Sequence, residues 1–488
     1  MAKLYRTVSL FSGAMGLDIG LENTGRFETI GAVESNKTFV ESLRANKDAG
    51  NLTNETIQIF QEDLHSFEPE ELMKQLGIVP GEIDLLTGGP PCQSFSTAGR
   101  RGTTQDARGT LIWRFLHFVK VMKPKYFLME NVRGLMSAAL KHRPLAERPK
   151  KGGPPLEPDE EPGSVIQQFI QDLAQEYRMD CFEVNAVNYG APQLRERALF
   201  VGNRLDMVVE FPLPTHFTPS ELEKMENTSG KPHETLRNGL KGLIDRNQEI
   251  MDFSPRKKEF LALVPEGGNW RCLDEDKARE IMKNAYHAKG GRSGWLRRLS
   301  WDLPTPTILT MPNHTSTSLC HPTELRALSL AECARIQGFP DEWVFCGTIQ
   351  EKYRQVGNAV PIILGEVVGV AIAESMDRNE TVPQSGGKKF TGVQTGAKKL
   401  IEANKYSKKE FTETSRSARV LCLEYTFEMT AEIGWNYELH ERFRKVYIKA
   451  HVRTRKWFHD GKAIVRNESN AKESGYSPAK TIVKESEI

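Results

Sequence analysis

A repeated alternation of short apolar runs and helical patterns over the first 200 residues constrains this chain more than any other feature. Thr7–Phe11, Thr29–Val33, Ile57–Phe60, Ile83–Thr87 and Tyr126–Met129 read as strands, and amphipathic stretches such as Thr38–Asn46 lie between them. Strands alternating with helices predict a parallel, doubly wound sheet covered on both faces. Such sheets bind ligands beyond the carboxyl ends of their strands. Glu34, Asp63, Cys92 and Glu130 all fall at those ends. Four polar residues are thus expected in one topological place.

Beyond residue 140 the rhythm changes. Residues 142–163 are rich in Pro, Gly and charge and read as a surface insertion. A helix is expected over Val165–Tyr177, then strands near Val184–Val187 and Ala198–Val201. From 204 to 322 Gly, Pro and polar residues dominate, which predicts a smaller, irregular domain. Helical patterning returns at Ser329–Gln337 and from Ile362 to Ser375. The expected divisions are 1–203, 204–322, a return segment 323–380 and a C-terminal extension 381–488. That extension holds 21 Lys and Arg against 13 Asp and Glu, whereas the rest of the chain is net acidic. Bulk charge therefore does not announce a nucleic-acid binder; a basic surface would be local or lie in the tail. Val446–Arg455 alternates as a half-buried strand with a basic outer face. The seven cysteines are odd in number and form no Cys-x-x-Cys pair, which disfavours a disulfide framework or a zinc cluster. The N-terminus lacks a signal-peptide pattern, and no run approaches the ~18 apolar residues of a membrane span. A cytoplasmic, nucleoid-associated location is expected.

Four stretches carry chemistry. Phe11-Ser12-Gly13-Ala14-Met15-Gly16 joins a strand to a helix, but it is not the GxGxxG fingerprint, so it reads equally as a nucleotide loop or a plain tight turn. Glu34 suits ribose hydroxyls or a solvated helix start. Pro90-Pro91-Cys92-Gln93 places a cysteine in a strand-terminal loop rather than an apolar run, as expected of an exposed nucleophile. The polar stretch Gln93–Gly109 after it suits a lid. Glu130-Asn131-Val132 supplies a carboxylate nearby. In Gln193-Leu194-Arg195-Glu196-Arg197 alternation puts both arginines on one face, for binding or for a salt-bridged surface strand.

Together these stretches resemble the C5-cytosine DNA methyltransferases. The likeness extends to Arg326, Ala334-Arg335-Ile336-Gln337-Gly338-Phe339-Pro340 and Gln355-Val356-Gly357-Asn358-Ala359-Val360-Pro361, in the family's order over residues 7 to about 375. Met15 departs from the family, which often has Gly or another small residue there. The resemblance implies the fold of S-adenosylmethionine-dependent methyltransferases, with a target-recognition domain at 204–322. It implies Cys92, Glu130, Arg195 and Arg197 as catalytic residues. Cys92 would add to C6 of cytosine, making C5 nucleophilic; Glu130 would assist at N3, and the arginines would orient the carboxylate and hold the base. S-adenosylmethionine would leave as S-adenosylhomocysteine, its site formed by Phe11, Ser12, Gly13, Gly16, Glu34, Asp63, Leu64, Pro90, Asn358 and Val360. Duplex DNA would meet Gln93, Ser96, Arg100, Arg101, Gln193, Arg297 and Arg298, with the base flipped out. No metal is needed. A monomer on DNA and a cognate restriction endonuclease are the expected partners. Two rivals stand beside this reading. A tRNA-methylating branch shares the motifs but has a reduced recognition region and a Cys-Phe-Thr signature that this chain lacks. A non-catalytic regulator would lack the Cys, Glu or Arg.

Overall fold

In the computed structural model the described residues are 3–91 and 111–381, apart from 145–146, 174, 224–229, 246 and 288–291, with short backbone segments at 393–394, 418–420, 458–459 and 462–463. Cys92, Gln93, Ser96, Arg100, Arg101 and the rest of the expected lid lie outside them, as does the expected strand Val446–Arg455.

Seven strands form the central sheet: β1 (Tyr5–Leu10), β2 (Phe27–Glu34), β3 (Gln58–Gln61), β4 (Leu85–Gly88), β5 (Tyr126–Val132), β6 (Arg178–Asn185) and β7 (Glu196–Asn203). Their order is β6-β7-β5-β4-β1-β2-β3. All run parallel except β7, which is antiparallel to both neighbours. Val393–Gln394 and Ala418–Val420 extend the sheet at β6. The chain winds from β1 to β3 on one side and from β4 outward on the other, so the switch between β1 and β4 opens a crevice at their carboxyl ends.

The strands are apolar on both faces because helices cover both. On one face Phe127, Met129, Ala198 and Phe200 pack with α4 (Leu111–Met122) and α5 (Ser164–Leu173). Aromatic contacts bind this layer, with Phe127 5.3 Å from Tyr177 and Phe169 5.7 Å from Phe200 between ring centres. On the other face Leu128, Leu199 and Val201 meet α1 (Gly16–Asn23) and the long C-terminal helix. The remaining helices of seven or more residues are α2 (Lys37–Asp48), α3 (Pro69–Leu76), α6 (Pro255–Leu261), α7 (Glu275–Met282), α8 (Leu330–Gln337), α9 (Ile349–Asn358) and α10 (Ile362–Thr381). Helices α1 and α10 cross at backbone contact. A Cβ on Gly20 would lie 2.1 Å from the Ile362 carbonyl oxygen, and one on Gly365 2.4 Å from that of Leu17. The stretch Ile349–Arg378 is long and apolar enough to cross a membrane, but it is largely buried in this core.

The insertion after β5 is folded around Arg143, which pairs with Glu160 and donates to the carbonyls of Pro154 and Pro155. The described residues of 204–322 form short elements, the longest among them being α6 and α7. The segment rejoins the sheet domain through Thr305, whose amide donates to the Pro192 carbonyl (2.8 Å) while its own carbonyl accepts from Leu194 N (2.7 Å). Several expected boundaries shift. β5 continues three residues past Met129, so Glu130 lies within the strand rather than at its end. α5 ends at Leu173, where helix was expected up to Tyr177, and β6 starts at Arg178, well before the strand expected near Val184. Helices α3, α4 and α9 were not anticipated.

Candidate active site

The first loop is held from beneath and from the side. Under it, Asp18 of α1 is buried and accepts from Ser9 Oγ (2.8 Å) and Thr87 Oγ1 (2.9 Å), tying α1 to β1 and β4. Burial pushes its carboxyl up to about 7. From the side, Glu34 accepts from the amides of Gly13 and Asn36 (2.9 Å each), fixing the carboxylate at the loop. Ser12 Oγ donates to the carbonyls of Ser9 and Val33. Phe11 (φ 53°), Gly13 (φ 55°) and Met15 (φ 61°) all take left-handed backbone. That explains why glycine suits position 15: a side chain there costs roughly 1–2 kcal/mol. Here Met15 is fully buried in an apolar cluster, which offsets the strain.

The other expected cofactor residues ring the same edge. Asp63 is exposed just past β3, its Oδ1 accepting from His65 N (2.9 Å). Leu64 is buried, and its carbonyl accepts from Arg114 (2.6 Å). Gly16 abuts the return segment so closely that a Cβ would lie 2.4 Å from the Val360 carbonyl oxygen. Asn358, the last residue of α9, is exposed beside it. The left-handed loop, its flanking carboxylates and the exposed Asp63 fit a ligand with an adenosyl group and a zwitterionic tail.

Next to this lies the expected catalytic edge. Pro90 is buried, and its carbonyl accepts from Asn131 Nδ2 (3.0 Å), so β5 grips the turn two residues before Cys92. Glu130 is mostly buried and pairs with Arg197, Nε to Oε1 at 2.5 Å. The β5–β7 register sets this pair: Val132 lies opposite Arg197 and Glu130 opposite Leu199, so Arg197 reaches diagonally across one face. Gly89 leaves the carboxylate room, since a Cβ there would lie 3.3 Å from Oε2.

Three expected contact residues are placed differently. Arg195 is 1 % exposed, and its guanidinium donates to the carbonyls of Ile308 (2.8 Å), Gly357 (2.9 Å) and Ala359 (2.7 Å). It braces two backbone segments, at Ile308 and at Gly357–Ala359, and has no open face for a base. Gln193, expected at DNA, is fully buried; it donates to Gln337 Oε1 (2.8 Å) and accepts from Ile308 N. Arg298, also expected at DNA, is spent on the carbonyls of Pro322, Val264 and Thr323. Its neighbour Arg297 differs. Its Nε donates to Ser293 O at 3.3 Å, and among the described residues no carboxylate pairs with it. Burial without a counter-charge lowers its pKa. The two should separate experimentally. Arg298→Ala should destabilise the fold by about 1–3 kcal/mol through unpaired carbonyls and leave the methylated sequence unchanged. Arg297→Ala should keep the melting temperature and weaken DNA binding. Equal effects on melting and binding would refute the distinction.

Sequence reasoning did not single out Asn131, Asp18, Gln337 or the Arg326–Glu332 pair (2.8 Å) that fixes the start of α8. Asn131, Gln337 and Arg326 lay inside the stretches that carry the resemblance, which was the available signal; Asp18 and Glu332 carried none.

Comparison with known proteins shows the family of the chain. Residues 5–374 match the family described as C-5 cytosine-specific DNA methylase. The chain is 34 % identical over 377 residues to the Type II methyltransferase M.Sau96I of Staphylococcus aureus, covering 77 % of each chain. It is 36 % identical over 378 residues to the Type II methyltransferase M.PspPI of a Psychrobacter species, covering 77 % of this chain and 80 % of the relative. Against the Type II methyltransferase M.Eco47II of Escherichia coli the identity is 35 % over 385 residues, with 77 % and 80 % covered.

Proposed function

The chain belongs to the C-5 cytosine-specific DNA methylase family and is a methyltransferase of that kind, and we propose that it methylates C5 of a cytosine flipped out of duplex DNA through a covalent bond from Cys92 to C6. The observation that carries this reading is the Glu130–Arg197 pair beside a Pro90 turn held by Asn131. C5 of cytosine is a weak nucleophile. Addition of a thiolate at C6 makes C5 enamine-like and divides one hard step into easier ones. Electron density then builds at N3, where Glu130, aligned by Arg197, would supply a proton or a strong hydrogen bond. Arg195 acts at a distance, holding the return segment against the catalytic strand. Loss of the C5 proton and expulsion of Cys92 complete the turnover.

S-adenosylmethionine supplies an electrophilic methyl group. Phe11, Gly13, Glu34, Asp63 and Leu64 would hold it, Glu34 at the ribose and Asp63 at the adenine amino group. Residues 204–322 would read the DNA sequence, since Thr305–Ile308 fasten that segment to Gln193–Arg195 at the catalytic edge. The enzyme would act as a monomer on DNA, and the Type II names of its relatives point to a restriction endonuclease of the same specificity as its counterpart.

The direct test is methyl incorporation from labelled S-adenosylmethionine into duplex DNA and into tRNA, with base-resolution mapping of 5-methylcytosine in DNA after expression. A single methylated motif in duplex DNA is expected. Incorporation into tRNA alone, or methylation at adenine, would overturn the proposal.

A further inference from the structure

Three carboxylates and two arginines crowd the carboxyl end of β5 and the strands beside it: Glu130, Glu183 and Glu196, with Arg133 and Arg197. Buried Arg195 adds a third cation nearby, on the same face as Arg197. The sheet sorts these charges by face. Glu130 and Arg197 share the face of Leu128 and Leu199, while Glu196 and Glu183 share the opposite face with Ala198. Arg133, one residue past the last paired position of β5, takes Glu196 (Nη1 to Oε2, 2.8 Å) and approaches Glu183 (3.6 Å). Glu196 also touches Arg197, because its carbonyl accepts from Arg197 Nη1 (2.8 Å). One residue thus links the two arginines through the sheet.

We infer that Arg133 is a positioning residue for the methyl-transfer step: by engaging Glu196 on the opposite face it fixes the backbone carbonyl that accepts from Arg197 and so holds Arg197 toward Glu130. Its loss would remove from the first residue of β7 the side-chain pair that continues the β5–β7 ladder beyond Val132, and with it the anchor of the Glu196 carbonyl that accepts from Arg197. This inference rests on the catalytic reading of Glu130.

A double-mutant cycle on the full-length enzyme tests it. Arg133→Met should lower the single-turnover methylation rate about tenfold, a coupling typical of residues in one ion-pair network. Affinities for DNA and S-adenosylmethionine should be unchanged. Arg133→Lys should recover much of the rate, which guards against a misfolded Met variant. In a Glu130→Gln background, Arg133→Met should add nothing. If Glu130→Gln lowers the rate but Arg133→Met lowers it further by the same factor as in wild type, the positioning role is wrong while the catalytic reading stands. If Glu130→Gln itself leaves the rate unaltered, the catalytic reading fails. A drop in melting temperature and DNA affinity with no effect on single-turnover rate would make Arg133 merely structural.

Discussion

Cys92→Ala is expected to abolish methyl transfer, a loss on the order of 10⁴-fold or more, while folding and S-adenosylmethionine binding persist. The reason for persistence is local. The turn is held upstream of the cysteine by the Asn131–Pro90 hydrogen bond and by burial of Pro90, and Pro91 is exposed. Neither anchor uses the thiol. The reason for the loss is chemical: without a thiolate at C6, C5 lacks the electron density to accept a methyl group. Wild-type enzyme should also form a stable adduct with duplex DNA carrying 5-fluorocytosine at the target, because fluorine cannot leave as a proton does. An alanine variant that still methylates, or a wild type that forms no adduct at its mapped site, would remove Cys92 from the mechanism.

The sheet was legible because its strands end in chemically marked turns. Pro90-Pro91 cannot continue a strand ladder, and Glu34 and Asp63 stand where apolar runs stop. The reversal of β7 was not legible, since an apolar strand buried on both faces reads the same in either direction. Among the candidate residues, alternation placed Arg195 and Arg197 on one face but could not tell which meets Glu130. That depends on register between β5 and β7 and on carbonyls supplied by Ile308, Gly357 and Ala359, more than a hundred residues away in sequence. Gln193 posed the same difficulty, being buried by Gln337 of α8. Arg297 and Arg298 are adjacent and identical in type. Only the backbone path of 320–323 shows that one is consumed by the fold.

Glu130→Gln carries the second large expected effect, a fall of roughly 10²–10⁴-fold in single-turnover rate with DNA affinity nearly unchanged. Glutamine preserves the size of a side chain that is largely buried between Gly89 and Arg197, so the turn and the β5–β7 register should survive. What disappears is the ability to give a proton to N3 and the charge-assisted bond that aligns the group. Arg197→Lys should reproduce part of this loss. An ammonium can neutralise the carboxylate but cannot both donate to Glu196 O and meet Glu130 from a second nitrogen of a rigid planar group. Because both side chains act at one atom of the base, the double variant should be little worse than Glu130→Gln alone. Rapid-quench methylation of preformed enzyme–DNA complexes would measure all three rates. A Glu130→Gln rate within a few-fold of wild type would reduce the pair to a structural ion pair, whereas fully additive losses would mean that Arg197 serves the base independently of Glu130.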